Sequence, residues 1–215
     1  MLGVYVTVPV ACFRKGLARE YLETEPLPPP ATCYGFLLSL VGETQRRRHI
    51  GCRVAPVLIN KPPTSVVLRT VWRVKKTPLG SSGNTRPDYQ QLLTGIELII
   101  WMDSSNESEH GLEARVRKAL AEPESVSRFG GLCLGESTHL VDEVMLLEKA
   151  IARLADRSGR AFLIAPKGRM TLPVWVDHVG SAGTRYVTGD LVTRPLMQSP
   201  SVEEMPQIQP GGSPP

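Results

Sequence analysis

The order of patterns along the chain predicts an α+β fold: strand, buried helix, strand, hairpin, helix, strand, and then a β-rich extension. Three observations predict it. Residues 4–10 (VYVTVPV) are rich in β-branched side chains, and residues 33–41 (CYGFLLSLV) are an apolar run about two and a half helical turns long. Residues 65–75 and 95–102 are strand-like runs flanking a segment that holds Pro78, Gly80 and Gly83.

Taken in order, Pro9 places the first strand at a sheet edge or near its own end, because proline cannot donate to a ladder. Residues 13–30, with Arg14 as a candidate RNA contact and Lys15 and Arg19 ahead of acids and a Pro-Leu-Pro-Pro-Pro run, read as a long loop. Thr32 suits the N-cap of the helix 33–41, and a helix with so little polar surface has to be buried. Residues 43–50 (ETQRRRHI) form a basic connector, and 52–59 return to β-type residues. The runs 65–75 and 95–102 then make a long hairpin with its tip at 77–86. After an acidic loop at 103–111, Leu112, Val116 and Leu120 share one helical face, Glu113 and Arg117 pair at i,i+4, and Pro123 stops the helix.

A glycine-rich stretch, 127–139, leads into a strand near 140–147. Residues 148–156 read either as a short helix or as a charged insertion, and 170–176 and 185–192 as strands around a turn at 180–183. From Met197 onward Pro, Ser, Gln and Gly dominate, as in a disordered tail. The resulting division is a ferredoxin-like or RRM-like domain at 1–147, a small β-rich C-terminal extension at 148–196 and a flexible tail at 197–215. Such a fold hosts many functions, so chemistry has to be read from residues.

A hydrophobic fraction of 41% and a charged fraction of 21% exclude a wholly disordered chain. The formal charge of +4 permits a polyanionic partner, and its distribution says more: 61–95 holds six basic residues against one acid, Asp88. The apolar N-terminus lacks a basic flank, and no run approaches the roughly 20 apolar residues of a membrane span. Cys12, Cys33, Cys52 and Cys133 lie far apart without a C-x-x-C pair, which argues for reduced thiols in a cytoplasmic protein and against zinc.

The stretch Gly130-Gly131-Leu132-Cys133-Leu134-Gly135-Glu136-Ser137 has neither dinucleotide nor P-loop spacing. Its glycines could let backbone N–H groups approach an RNA phosphate, with Arg128 adding charge, or could simply make tight turns. Arg46, Arg47, Arg48 and His49 can contact phosphates or form a solvated charge run. On the hairpin, Arg69, Arg73 and Lys75 alternate with Val71, Trp72 and Val74, so that charge would segregate to one face, with Trp72 in the core and Lys76 a further candidate contact beside them. The histidines, His49, His110, His139 and His178, sit in no catalytic motif. Tyr5, Lys15, Lys75, Lys76, His49 and His139 are raw material for metal-independent RNA cleavage, against which stands the plain structural use of lone histidines.

In order, VYVTVPVACFR, LPPPATCYGFLLSLVGE, SVVLRTVWRVK, PDYQQLLTGIEL, RFGGLCLGESTHLVDEV and LPVWVDHVGSAGTRY resemble the CRISPR-associated Cas-five family, closest to its DevS-like branch of type I-B systems. The likeness spans roughly 4–192. It implies an RRM-like domain with an inserted hairpin, a "thumb" at about 65–94, in a subunit of the Cascade surveillance complex that binds and caps the 5′ handle of the CRISPR RNA. The handle would be held near Thr32, Tyr34 and Gly35, and by the loop from Arg128 to His139 with Gly130, Gly131, Gly135, Glu136 and Ser137. Implied partners are the backbone subunit (Cas-seven), the large subunit (Cas-eight), the processing endonuclease (Cas-six) and, through the complex, target DNA. No cofactor or metal is implied. Some relatives cut precursor RNA themselves, which is the alternative enzyme reading. The setting is antiviral defence or RNA-guided transposition.

Overall fold

The strand and helix pattern is realised in a computed structural model that describes residues 1–16, 18, 21–72, 78, 80–109, 111–179 and 181–211. In chain order the elements are β1 (Leu2–Ala11), β2 (Tyr21–Leu22), α1 (Pro30–Leu40), β3 (Arg53–Leu58), β4 (Thr64–Trp72), β5 (Thr85–Asp103), α2 (Leu112–Ala121), β6 (Glu143–Leu146), α3 (Leu147–Leu154), β7 (Ser158–Ile164), β8 (Met170–Trp175) and β9 (Arg185–Pro195). Among the described residues they form one nine-stranded sheet in the order β6-β1-β5-β3-β7-β9-β8, with β2 and β4 paired to β5 beside that path.

The ferredoxin-like part is β1, β3, β5 and β6: β5 lies between β1 and β3, antiparallel to both, and β6 is antiparallel to β1. β1 and β3 therefore run parallel with a strand between them, the split β-α-β crossover through α1. The C-terminal strands extend this same sheet, because β7 pairs with β3 at Val57↔Ala161 and Leu58↔Arg160, β9 with β7, and β8 with β9. Strand alternation sorts the core into two layers. Leu2, Val4, Val6 and Val8 pack with α1 and α2 on one face, while Tyr5, Ile99 and Trp101 pack with Leu147, Ala150 and Leu154 of α3 on the other.

α1 is buried as its composition requires, at Cys33, Tyr34, Phe36, Leu37, Leu38 and Leu40. It begins earlier than expected. Pro30 occupies the first helical position, where a missing N–H costs nothing, so Pro29 is the cap and Thr32 lies inside the first turn. β5 is longer than the run 95–102 because its N-terminal half pairs with β4, from Thr64↔Leu93 to Trp72↔Thr85, to make the expected hairpin. Gly95, at φ +61°, marks the junction between the halves, and the Asn60 amide spans it, donating to Gly95 O at 2.6 Å and accepting from Glu97 N at 3.2 Å. Residues 148–156 resolve into α3, and β7 is a strand that sequence reading did not assign.

The expected flexible tail is corrected. Val54 N donates to Pro206 O and Ile208 N to Cys52 O, while Met205 and Ile208 are completely buried. Two apolar anchors thus overcome the polar composition of residues 197–211, through burial and backbone pairing beside β3. No helix among the described residues is long and apolar enough to cross a membrane.

Candidate nucleic-acid interface

An open cleft lies between α1, the connector after it, the stretch at 127–135 and the segment leaving β8. Its floor is the one face of α1 that carries small or polar side chains, Thr32, Gly35 and Ser39, with Gly42 just beyond the helix. Their spacing keeps them in register on a helical surface. Gly35 is exposed, and a Cβ there would meet nothing, so the cleft is open to solvent above this position.

Arg46 lies at the centre and lines all three adjoining hollows, as does His178. Its backbone is held by the Tyr34 hydroxyl, which donates to Arg46 O at 2.7 Å. Its guanidinium lies over the Trp175 ring, 4.5 Å from the centroid, and donates from Nη2 to Val176 O at 2.9 Å. Tyr34 is only 2% exposed, and burial pushes its phenol well up, so it positions Arg46 rather than offering a contact. Arg128 on the opposite wall donates to Leu40 O, a carbonyl at the C-terminal end of α1. Phe129 beside it is fully exposed.

The charges of the connector are divided. Arg48 pairs with Glu43 and Glu109, and Glu43 also takes Arg115 at 2.6 Å, an interaction that, with the Gln45 amide, lowers its pKa to about 2. His49 is buried: Nδ1 faces Glu107 Oε2 at 3.0 Å and Glu109 O at 2.8 Å, and Nε2 lies 3.1 Å from Arg115. Glu107 also accepts the Gly111 and Leu112 amides at the start of α2. Among the described residues Arg46, Arg47 and Arg128 have no carboxylate partner, so their charge is directed to the cleft and to solvent.

The glycine-rich loop is pinned rather than free. His139 Nδ1 accepts the Cys12 and Glu136 amides at 3.2 and 3.1 Å, and burial lowers its pKa. Gly135, at φ +105°, passes so close that a Cβ would come within 2.9 Å of Cys12 O. The Glu136 carboxylate then accepts Gln90 Nε2 at 2.8 Å from β5 and Arg69 Nη1 at 3.3 Å from β4, tying the hairpin to the loop.

The expected contact residues therefore separate. Thr32, Arg46, Arg47, Arg128 and Gly135 border or approach the cleft; Gly130, Gly131 and Ser137 are exposed on the adjoining loop. Arg48 and Arg69 are neutralised by acids, His139 and Glu136 hold the loop, and Arg14 donates to Ala18 O away from the cleft. Arg73, Lys75 and Lys76, the Trp72 side chain and His110 lie outside the described residues. Sequence reading missed Ser39, Phe129, Trp175 and His178. The signal for Ser39 was present: it follows Thr32 and Gly35 on one face of an otherwise apolar helix.

No model of a protein family matches the chain. It is 51% identical over 212 residues, 97% of each chain, to a protein of Myxococcus xanthus (strain DK1622) named CRISPR-associated protein Cas5. The chain belongs to the Cas5 family. Its fold also resembles a chain of a solved CRISPR RNA-guided surveillance complex, at 12% identity and a TM-score of 0.60, covering 94% of this chain and 95% of that one. A second solved structure, a Cas protein, matches at 15% identity and a TM-score of 0.50 over 91% and 94% of the two chains. At these identities the structural likenesses speak for the fold of the Cas5 family and for nothing finer.

Proposed function

We propose that this Cas5 chain is a non-catalytic subunit of a Cascade surveillance complex that binds and caps the 5′ handle of the CRISPR RNA. The observation that carries the reading is the cleft beside α1, where Arg46, Arg47 and Arg128 have no carboxylate partner among the described residues. A single strand can lie there with phosphates near the arginines and bases turned toward Trp175, Phe129 and the glycine-rich loop. The β4–β5 hairpin is the thumb, and it meets the neighbouring backbone subunit through its outer face, where Val66, Leu68 and Tyr89 are exposed. The large subunit and processing endonuclease are the remaining partners, and guide pairing selects the target DNA. The complex works in the cytoplasm, in defence or in RNA-guided transposition.

The residues available for cleavage support the non-catalytic reading. Tyr5 donates to Glu97 Oε1 at 2.8 Å, and burial followed by that bond pushes its pKa up to about 12. It belongs to the cluster under α3, whereas His139 is held at Cys12 beyond the far end of β1. His49 has polar partners at both ring nitrogens. Gel-shift analysis in EDTA, with the mature handle-bearing guide and the same guide lacking its handle, tests this reading. Handle-dependent binding with intact RNA is the expected result. Binding indifferent to the handle, or specific cleavage, would overturn it.

A further inference from the structure

We infer that Arg46 and Trp175 together form a stacking platform for one unpaired nucleobase of the RNA, an inference that rests on the handle-binding reading. Three observations point to it. The guanidinium lies over the Trp175 ring at 4.5 Å, and its Nη2 donates to Val176 O, so the group is tied at two points. The Tyr34 hydroxyl fixes the Arg46 backbone from below at 2.7 Å. The side chain nevertheless borders all three hollows of the cleft, and it has no carboxylate partner among the described residues, unlike Arg48 two residues on.

An arginine that only covered Trp175 would not need its guanidinium held at two points, and its backbone at a third, at the centre of an open cleft. An arginine that only neutralised phosphate would need no such anchoring, and Arg47 on the same connector is simply exposed. A guanidinium held over an aromatic ring leaves its far side for a planar partner, and an unstacked base is the planar group that a single strand supplies. The neighbours suit that occupant: Thr32 and Ser39 carry hydroxyls for a base edge, and His178 lines the same hollow. The specificity is for a base in an extruded position, while Arg47 and Arg128 take the backbone.

The test compares the wild-type chain with Arg46→Lys, which keeps the charge but loses the plane. The probe is a single-stranded RNA carrying the handle, with each handle nucleotide made abasic in turn. One abasic position is expected to weaken wild-type binding about tenfold, as loss of a stacked base does, and to have almost no further effect on Arg46→Lys. Arg46→Lys should bind the intact handle about tenfold more weakly with an unchanged salt dependence. Handle binding with no such coupled position would overturn the platform and leave the handle-binding reading standing. Loss of handle preference in the wild type itself would overturn both. Should Arg46→Lys fail to fold, 2-aminopurine scanned through the handle on the wild-type chain decides: fluorescence quenching at one position upholds the platform, and quenching at none overturns it.

Discussion

His139 holds two backbone amides through one ring nitrogen, and this requires the neutral imidazole. Burial lowers its pKa, so the stability it contributes is fully present above the unfolded-state value of about 6.5 and is lost as pH falls through the lower folded value. Urea unfolding from pH 8 to pH 5 should therefore show a decline on the acid side that His139→Ala lacks. At pH 8 that variant should be less stable by about 1–3 kcal/mol, since two amides lose their acceptor. Identical pH profiles would contradict this role. At this scale the sequence showed which residue types were present but not their use. The run Arg46, Arg47, Arg48 and His49 read as one basic connector, yet it divides into a platform side chain, an exposed cation, an ion-paired arginine and a buried histidine. That division comes from Trp175, Glu107, Glu109 and Arg115, all far away in sequence, and local pattern does not report such contacts.

Among the elements, the hairpin and the glycine-rich loop are joined at Glu136, which accepts from Gln90 on β5 and Arg69 on β4. A second set of contacts steadies the other side, where Gln91 Oε1 accepts Thr24 N at 3.1 Å and Tyr21 of β2 pairs with Tyr89 of β5. Glu136→Ala should loosen the hairpin from the loop without melting the sheet. Amide hydrogen exchange over residues 65–72 and 85–91 should quicken at least several-fold while β1 and β3 keep their protection. Unchanged exchange in the hairpin would show that β2 alone positions it. The strands, the buried α1 and the α2 helix were legible because their periods and turn residues agree with the fold. β7 was not, since a short strand beside charged residues carries little alternation, and the extent of β5 was hidden because Gly95 looked like an end and is a junction between two pairings.

For the whole molecule, one continuous sheet joins the ferredoxin-like strands to β7, β9 and β8, and the cleft lies where the helical layer meets the end of β8. The C-terminal end of the chain belongs to the same body, with Met205 and Ile208 buried against the sheet layers from residues that composition had marked as tail. The family could be read from motif blocks in the sequence, and the ferredoxin-like order from the pattern. The cleft itself could not, because its walls come from α1, 127–135 and 174–179, brought together only by sheet order. The central claim is that this cleft holds the RNA handle. Photocross-linking tests it most directly: 4-thiouridine is placed through the handle of a guide RNA, and the cross-linked peptides are read by mass spectrometry. Cross-links concentrated at residues 31–48, 127–135 and 174–179 are the predicted result, and handle cross-links confined to the α3 face of the sheet would contradict it.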